Sequence, residues 1–308
     1  MSNDNIDNSP TIHDSELPKL KTEPYRIDKA KNFRLRDFRC DDSANLEHEK
    51  VGKAILKNNK KRMFKLQERL YAEDKQSLLI IFQAMDAAGK DGAIKHVMRG
   101  LNPQGVQVTP FKVPSPEELD RDYLWRIVKA LPRRGNVGIF NRSHYEEVVI
   151  TQVHNLLEKS QIPEWLLGEE VWQQRYEQIN NWEKYLTQQG YVVLKFFLHI
   201  SKEEQRVRLL DRILEKDKNW KFSSSDIEER EHWDDYQRLY EEMIQNTSTK
   251  HAPWYVVPAD KKWFSRTLIS QVVADTLEEM DPKIPALTKK ECDQLAHWKQ
   301  ILEDQVTE

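Results

Sequence analysis

The chain has 308 residues, of which 32% are charged, yet its formal net charge is only −3. A chain of this length can form one large core or at most two, and we expect a single large α/β domain. Because the overall charge is slightly acidic, a polyanionic ligand would have to be held by local basic patches and not by the field of the whole protein.

The cysteines and the apolar segments exclude several classes of protein. Cys40 and Cys292 lie in unrelated surroundings without CxxC spacing, which argues against a zinc site or a disulfide framework and is typical of a reducing compartment. No stretch approaches the apolar length of a membrane span, and the polar start of the chain lacks the features of a signal peptide. We therefore expect a cytoplasmic protein with no membrane partner.

The apolar pattern predicts the order of the elements. Residues 1–24 are rich in Asn, Asp, Ser and Pro and predict a disordered leader. Apolar residues between 46 and 72 recur at helical spacing among many lysines, which predicts a helix with a basic outer face. The continuous apolar run at 77–83 is typical of a strand covered on both faces of a parallel sheet.

Further apolar runs alternate with helical segments along the rest of the chain, at 106–111, 137–140, 191–200 and 254–257. This alternation predicts an α/β fold with a doubly wound, parallel, five-stranded sheet and helices on both faces. Ligands in such sheets bind at the carboxyl ends of the strands.

A phosphate-binding loop follows the first predicted strand. The strand leads into Ala-Met-Asp-Ala-Ala-Gly-Lys-Asp-Gly at 84–92, and 93–98 is predicted to be helical. A strand, a tight loop and a helix place main-chain N–H groups and the positive helix end around a phosphate, and Lys90 would reach its outer oxygens. An ordinary surface turn is the alternative. The predicted phosphate-binding residues are Ala87, Ala88, Gly89, Lys90, Asp91 and Gly92.

The loop departs from the usual pattern in its acidic residues. Ala84 stands in place of the first glycine, and Asp91 stands where a magnesium-binding Ser or Thr is usual. Asp86 would repel a bound phosphate unless a divalent cation or a proton of the acceptor compensates, so we predict a functional role, with an Asx turn as the alternative. Lys95 and Arg99, four residues apart, would extend positive charge along one helix face, although a solvated face has the same pattern.

A second polar motif, Asn-Arg-Ser-His-Tyr-Glu-Glu at 141–147, follows the strand that ends at Phe140. P-loop kinases carry their second metal-site residue, usually an aspartate, at such a strand end. Asn141 can still hydrogen-bond a metal-bound water, and Arg142 can neutralise charge on a phosphoryl group in transfer.

With these residues in view, the chain resembles the polyphosphate kinase 2 family from about Tyr25 to Asp275. Other branches of the family have an aspartate at the position of Asn141. With an asparagine there, the chain resembles the class III subgroup, whose members phosphorylate both nucleoside monophosphates and diphosphates. The matching motifs are the loop at 86–92, the motif at 141–147, Trp-Lys-Phe at 220–222 and Ala-Pro-Trp-Tyr-Val-Val-Pro-Ala-Asp at 252–260.

The resemblance implies a thymidylate-kinase-like P-loop fold, a helical lid and reversible transfer of a terminal phosphate between inorganic polyphosphate and a nucleotide. It also implies Mg²⁺, which we place near Asp86 and Asn141, and a homodimer or homotetramer. We expect no nucleic-acid partner. The resulting domain prediction is a phosphotransferase domain at 25–285 with a lid at about 201–232, followed by a C-terminal helix at 286–308.

The predicted lid begins with a capping-box spacing at Ser201 and Glu204. Arg208, Arg212 and Lys216 then recur every four residues and would form one basic stripe, with a solvated amphipathic helix as the alternative. A lid arginine is functional in related proteins, and Arg208 matches it by motif.

Basic residues on the other side of the sheet are candidates for binding the acceptor nucleotide. By analogy with nucleotide kinases of this fold, Arg126 and, more weakly, Lys112 would hold the acceptor's phosphates, and Glu147 is assigned to the same side.

We expect polyphosphate to lie along Lys90, Lys95, Arg99 and the lid stripe. Lys90, Arg142 and Arg208 would stabilise the charge on the transferred group. Two alternatives are an ATP-dependent nucleotide or small-molecule kinase of the same fold, and a protein that binds polyphosphate or RNA without turnover.

Overall fold

A computed structural model describes residues 17–46, 48–159, 162–168 and 170–305. In chain order the elements are α1 (Glu49–Glu73), β1 (Ser77–Ala84), α2 (Lys90–Val97), β2 (Val106–Pro110), α3 (Pro116–Leu119), α4 (Trp125–Lys129), β3 (Val137–Asn141), α5 (Ile150–Val153), α6 (Val171–Gln188), β4 (Tyr191–His199), α7 (Lys202–Leu214), α8 (Ser225–Glu228), α9 (Trp233–Thr247), β5 (Trp254–Pro258), α10 (Lys262–Met280) and α11 (Lys289–Asp304). Within these ranges, none of the helices has the length and apolar character needed to span a membrane.

The five strands form one sheet in the order β2-β3-β1-β4-β5, and every neighbouring pair is parallel. All eight residues of the central strand β1 are buried, which agrees with the continuous apolar run in its sequence. In the register, Phe82 of β1 lies between Asn141 of β3 and Phe196 of β4. The predicted five-stranded, doubly wound α/β fold is therefore confirmed, and the carboxyl ends of β1 and β3 lie side by side.

Two groups of helices cover the sheet. α1 and α2 both pack on α10, and α10 also contacts β4 and β5. α6 and α9 form a second group, with α6 packed on β4. Part of the basic face predicted for α1 forms ion pairs with α10. Arg62 pairs with Asp275 at 2.8 Å and with Glu278 at 2.7 Å, both on α10.

The helix after the phosphate loop begins and ends earlier than predicted. α2 starts at Lys90, directly after Gly89, whose left-handed backbone (φ 104°) ends the loop. It ends at Val97, so Arg99 lies beyond the helix. The expectation that Lys95 and Arg99 share one helix face is therefore wrong.

The first and last described residues can be compared with the predicted domain bounds. The predicted leader, 1–24, lies mostly outside the described residues, but Leu20 is buried in the core, so the packed chain begins before Tyr25. At the other end α11 lies within the helix predicted at 286–308, and Thr288 caps it in a capping box with Glu291. Its last residues, 306–308, lie outside the described part of the chain.

Candidate active site

The phosphate loop joins β1 to α2 at the carboxyl edge of the sheet. Ala87 (φ 60°) and Gly89 (φ 104°) adopt left-handed backbone conformations, which turn the chain sharply between the strand and the helix. The first N–H groups of α2 have no acceptor within the helix, since each helical N–H bonds to a carbonyl four residues earlier. The loop therefore presents unsatisfied donors and a positive helix end to an anion, as predicted.

The Lys90 side chain folds back over this loop. It is buried, and its ammonium donates to the carbonyl oxygen of Ala84 at 2.8 Å. Burial, followed by the charge of Arg142, lowers the pKa of Lys90, while the carboxylates of Asp86 and Glu146 act in the opposite direction. The negative charge of a bound phosphate would favour the charged form of Lys90 further.

Side chains from α7 hold the loop's carbonyl groups. Gln205 Nε2 donates to the carbonyl oxygen of Asp86 at 2.9 Å, and Arg208 Nη1 donates to those of Ala87 (3.1 Å) and Ala88 (2.9 Å). In a trans peptide the N–H points opposite to the C=O, so the N–H groups that follow Asp86 and Ala88 point away from α7. α7 thus sets the direction of these two N–H groups.

The remaining donors of Arg208 are also bound within the protein. Its Nη2 donates to the carbonyl oxygens of Ala259 (2.6 Å) and Asp260 (2.9 Å), and its Nε donates to Glu204 Oε1 (2.8 Å). The side chain is 5% exposed. In this arrangement Arg208 ties the phosphate loop to the end of β5, and no N–H of its guanidinium is left for a phosphate.

The predicted basic stripe of the lid is not formed. Arg208 points into the protein, and Arg212 pairs with Asp226 of α8. Lys216 lies beyond the end of α7 at Leu214, so it does not continue the same helix face. Spacing alone predicted a continuous helix, whereas the chain turns into a 3₁₀ helix, Lys216–Lys221.

The predicted capping box at the start of α7 is formed on one side. Ser201 Oγ accepts from the N–H of Glu204 at 3.2 Å, as expected. The carboxylate of Glu204 binds Arg208, and the N–H of Ser201 donates to Asp260 Oδ1 at 2.9 Å. The second hydrogen bond of a capping box, from the N–H of Ser201 to the carboxylate of Glu204, is therefore replaced by these two contacts.

The second motif brings its first two residues to the phosphate loop. Asn141, at the end of β3, donates from Nδ2 to Asp91 Oδ1 at 2.6 Å. Arg142 has a left-handed backbone (φ 65°), and its Nη2 lies 2.8 Å from Asp86 Oδ1. Its Nη1 lies 3.8 Å from Glu146 Oε2. The predicted residues Asp86, Asp91, Asn141 and Arg142 thus meet at one place.

Two further acidic residues of the site were not predicted. Burial raises the pKa of Glu146, against the charges of Arg142 and Lys90. Burial, followed by the charge of Asp86, raises the pKa of Asp226 on α8. Glu146 stands in the second motif and could have been chosen from it, whereas only the tertiary structure brings Asp226 near Asp86.

The middle of the second motif is buried and anchors it. Ser143, His144 and Tyr145 are all inaccessible to solvent or nearly so. The Tyr145 hydroxyl donates to Glu183 Oε1 at 2.7 Å, and Lys195 Nζ donates to Glu183 Oε2 at 2.6 Å. These side chains fix the loop that carries Asn141 and Arg142, and they are structural rather than reactive.

The residues predicted to bind the nucleotide form a separate group. Arg126 Nη1 donates to the main-chain carbonyl of Lys112 at 2.8 Å and lies 3.8 Å from Glu118 Oε2. Glu147 pairs with Arg175 at 3.4 Å, and burial raises its pKa against the charges of Arg175 and Arg126. Arg126 and Glu147 are therefore close enough to interact, and Arg175 is an addition that the sequence did not suggest.

A cluster of basic side chains lies beside the phosphate loop. The pKa of His96 is lowered by burial and then by the positive charges of Arg266, Lys60, Lys95 and Arg99. Arg266 of α10 reaches the start of α2, because a Cβ built on Gly92 would lie 3.6 Å from its Nη2. We call Lys60, Lys95, His96, Arg99 and Arg266 the basic cluster. Lys60 and Arg266 were not predicted because they come from α1 and α10.

Comparisons with known proteins identify the family of the chain. Residues 46–285 match the family described as "Polyphosphate kinase 2 (PPK2)". An ADP-polyphosphate phosphotransferase from Rhodopseudomonas palustris is 44% identical over 286 residues, which cover 92% of this chain and 99% of that protein. An AMP/ADP-polyphosphate phosphotransferase from Meiothermus ruber is 46% identical over 263 residues, which cover 85% and 94%.

The fold agrees as well. The crystal structure of polyphosphate kinase 2 from Arthrobacter aurescens TC1 superposes with a TM-score of 0.81 at 38% identity, covering 89% of this chain and 96% of that one. Both sequence similarity and the fold are thus shared over most of the chain. The chain belongs to the polyphosphate kinase 2 family.

Proposed function

We propose that the protein transfers the terminal phosphate of inorganic polyphosphate reversibly to AMP and ADP. The names of the two relatives, ADP-polyphosphate phosphotransferase and AMP/ADP-polyphosphate phosphotransferase, support this choice of acceptors. The observation that carries the proposal is Asp86, a carboxylate inside a phosphate loop and 2.8 Å from Arg142. Such a carboxylate is unfavourable beside one phosphate but useful where a second, accepting phosphate and a cation meet the first.

The catalytic groups act by position and charge. The donor phosphate rests on the N–H groups of the loop and on the ammonium of Lys90. Lys90 and Arg142 stabilise the charge on the phosphoryl group while it is transferred, and Asp86 orients the attacking phosphate. No covalent intermediate with the enzyme is required. The placement of Arg208 favours a role in holding the loop over a direct contact with the transferred group.

The residues present fit a Mg²⁺ ion that is shared with the substrates. Mg²⁺ in kinases is bound through one or two carboxylates, several waters and the substrate phosphates, and it neutralises charge on those phosphates. Asp86 and Asn141, with Asp91 bonded to Asn141 at 2.6 Å, would hold it. Within the described ranges, no group of three or more His, Cys, Asp or Glu side chains is placed to hold a metal ion.

The basic cluster gives polyphosphate a path away from the loop. We place the chain of phosphates from Lys90 over Lys95 and Arg99, with Lys60 and Arg266 added, and not along the lid stripe predicted from the sequence. Burial is the largest cause that lowers the pKa of Lys60, and repulsion from the positive charges of Arg99 and Arg266 lowers it further. A polyanion would relieve this repulsion. The nucleotide would enter on the other side, at Arg126, Lys112 and Glu147.

The test is ATP formation from polyphosphate plus ADP, and from polyphosphate plus AMP, with Mg²⁺ present. We expect Asp86→Asn and Lys90→Ala to lower the rate at least 100-fold, because each removes a group that acts on the transferred phosphate. Wild-type rates in both variants would refute the assigned roles. Phosphorylation of AMP by ATP without polyphosphate would favour an ordinary kinase, and salt-sensitive binding without any product would favour a binding protein.

The C-terminal helix supports the predicted self-association. Leu295, Trp298 and Leu302 of α11 recur at helical spacing and are all more than half exposed. A 16-residue helix is marginal by itself in water and usually needs packing partners. A homodimer or homotetramer in which α11 is covered would provide them, and sedimentation of the full chain against one ending at residue 285 would test this.

A further inference from the structure

We propose that Gln205 is a positioning residue, which holds the main chain of Asp86 in place and links the phosphate loop to the segment after α8. The inference rests on the proposed function, since it concerns the same loop. Gln205 lies in the first turn of α7 and is 1% exposed.

Both ends of the Gln205 amide are occupied. Its Nε2 donates to the carbonyl oxygen of Asp86 at 2.9 Å, and its Oε1 accepts from Arg230 Nη1 at 2.7 Å. A guanidinium has no acceptor, so the amide oxygen must face Arg230 and the amide nitrogen must face the loop. Arg230 is fixed in turn, because the same nitrogen donates to the carbonyl of Lys202 at 3.1 Å.

Asp86 is therefore held from two sides. Gln205 holds its carbonyl, and Arg142 holds its carboxylate at 2.8 Å. The next residue, Ala87, has a φ of 60°, a conformation that is unfavourable for an alanine and persists only when neighbours impose it. Without the Gln205 donor the carbonyl of Asp86 would be left unpaired, and the loop would relax towards another partner.

The relaxed loop would misplace both its N–H groups and the Asp86 carboxylate. Displacements of about 1 Å in a positioning group cost on the order of 100-fold in rate. The Gln205 amide oxygen binds Arg230, which lies in the 3₁₀ helix Glu229–His232. The same short helix is anchored by Glu229, whose carboxylate lies 3.0 Å from His154 Nε2. Through Arg230 and Gln205, this part of the predicted lid reaches the reacting phosphates.

The experiment uses full-length Gln205→Met, which keeps the volume and removes both hydrogen bonds, and Gln205→Glu, which keeps the acceptor for Arg230 and removes the donor. Gln245→Met is the matched control, because Gln245 Nε2 also donates to a main-chain carbonyl, that of Phe33 at 2.8 Å, away from the site. The readouts are the thermal midpoint, kcat/KM for polyphosphate with ADP, and tripolyphosphate binding by calorimetry with Mg²⁺ present.

We expect both Gln205 variants to lower kcat/KM about 10- to 100-fold and to weaken tripolyphosphate binding at least about 5-fold. Their thermal midpoints should fall by about as much as that of Gln245→Met. Gln245→Met should keep wild-type kinetics and binding. Unchanged binding and kinetics in Gln205→Met, or wild-type behaviour in Gln205→Glu, would overturn the inference. An equal kinetic loss in Gln245→Met would overturn it too, since it would reveal a general effect of destabilisation.

The two proposals fail separately. If the wild-type protein bound tripolyphosphate but formed no product from polyphosphate with ADP or AMP, the proposed function would fall. Weaker binding in Gln205→Met would then still support the positioning role.

Discussion

Arg142 joins the two loops of the site through one side chain. It reaches Asp86 in the phosphate loop and Glu146 in its own motif, and its left-handed backbone (φ 65°) directs it between them. A guanidinium offers several donors in a fixed plane, so it can bridge two carboxylates and still turn a donor to a phosphate. The pair with Asp86 keeps that carboxylate from facing an incoming phosphate as an unopposed charge.

Replacing Arg142 tests this role. We expect Arg142→Ala to lower kcat about 100- to 1,000-fold, because a preorganised positive group is lost from the transferred phosphate. Arg142→Lys keeps the charge but not the planar fork, so it should recover activity only in part. The measurement is steady-state phosphorylation of ADP by polyphosphate. Arg39→Ala, which removes an exposed pair with Asp41, is the control, and an equal loss there would contradict the assignment.

The loop after β3 is held by the elements beneath it. Lys195 of β4, fully buried, donates to Glu183 of α6, to the Tyr145 hydroxyl and to the carbonyl of Thr247 at 2.6, 2.8 and 2.8 Å. All three ammonium protons are therefore used. Burying two charges is expensive, so this pair is more important for fixing the position of the loop than for net stability.

Replacing only Lys195 should destabilise the protein more than replacing Lys195 and Glu183 together. We expect Lys195→Met to lower the free energy of unfolding by about 3–5 kcal/mol, since Glu183 would remain buried without the positive charge of the lysine. The double variant Lys195→Met with Glu183→Leu should regain much of that loss. Denaturant unfolding measures both. Lys299→Met, in the exposed pair with Glu303, should change stability by no more than about 0.5 kcal/mol, and a double variant no better than Lys195→Met would refute the argument.

Across the whole molecule, the parallel sheet sets which ends of the chain meet. The carboxyl ends of β1, β3, β4 and β5 carry the phosphate loop, the second motif, α7 and the Ala259–Asp260 carbonyls. The phosphate loop contacts the second motif and α7, and α7 contacts the two carbonyls. The same edge buries His199, the last residue of β4. Burial lowers the pKa of His199 from its ordinary value of 6.5 to about 4.

This shift predicts how stability depends on pH. Between pH 6.5 and about 4 the unfolded chain protonates His199 and the folded chain does not, so the folded state loses stability as the pH falls through that window. The loss from this residue is up to about 3 kcal/mol. In His199→Asn, unfolding free energies measured at pH 7 and pH 4.5 should differ less than in the wild type. His297→Gln, exposed on α11, is the control, and equal slopes in all three proteins would contradict the prediction.

Local sequence determined the strands, the phosphate loop and the end of β3. Lys90 and Asn141 were placed correctly at the carboxyl edge because a buried strand followed by a tight turn has few alternatives in a parallel sheet. The helical bounds were less exact, since Gly89 starts α2 at Lys90, earlier than the apolar pattern suggested.

Only the tertiary structure decided what each side chain of α7 does. Spacing of four residues predicted that Arg208 and Arg212 would face a polyanion together, but the phosphate loop packs against α7 and its carbonyls accept the Arg208 donors. Gln205 carried no signal in the sequence, because its partner Asp86 is 119 residues away. Periodicity specifies which residues share a face, whereas the partner of that face is set by contacts between distant segments, whose free energy no local pattern encodes.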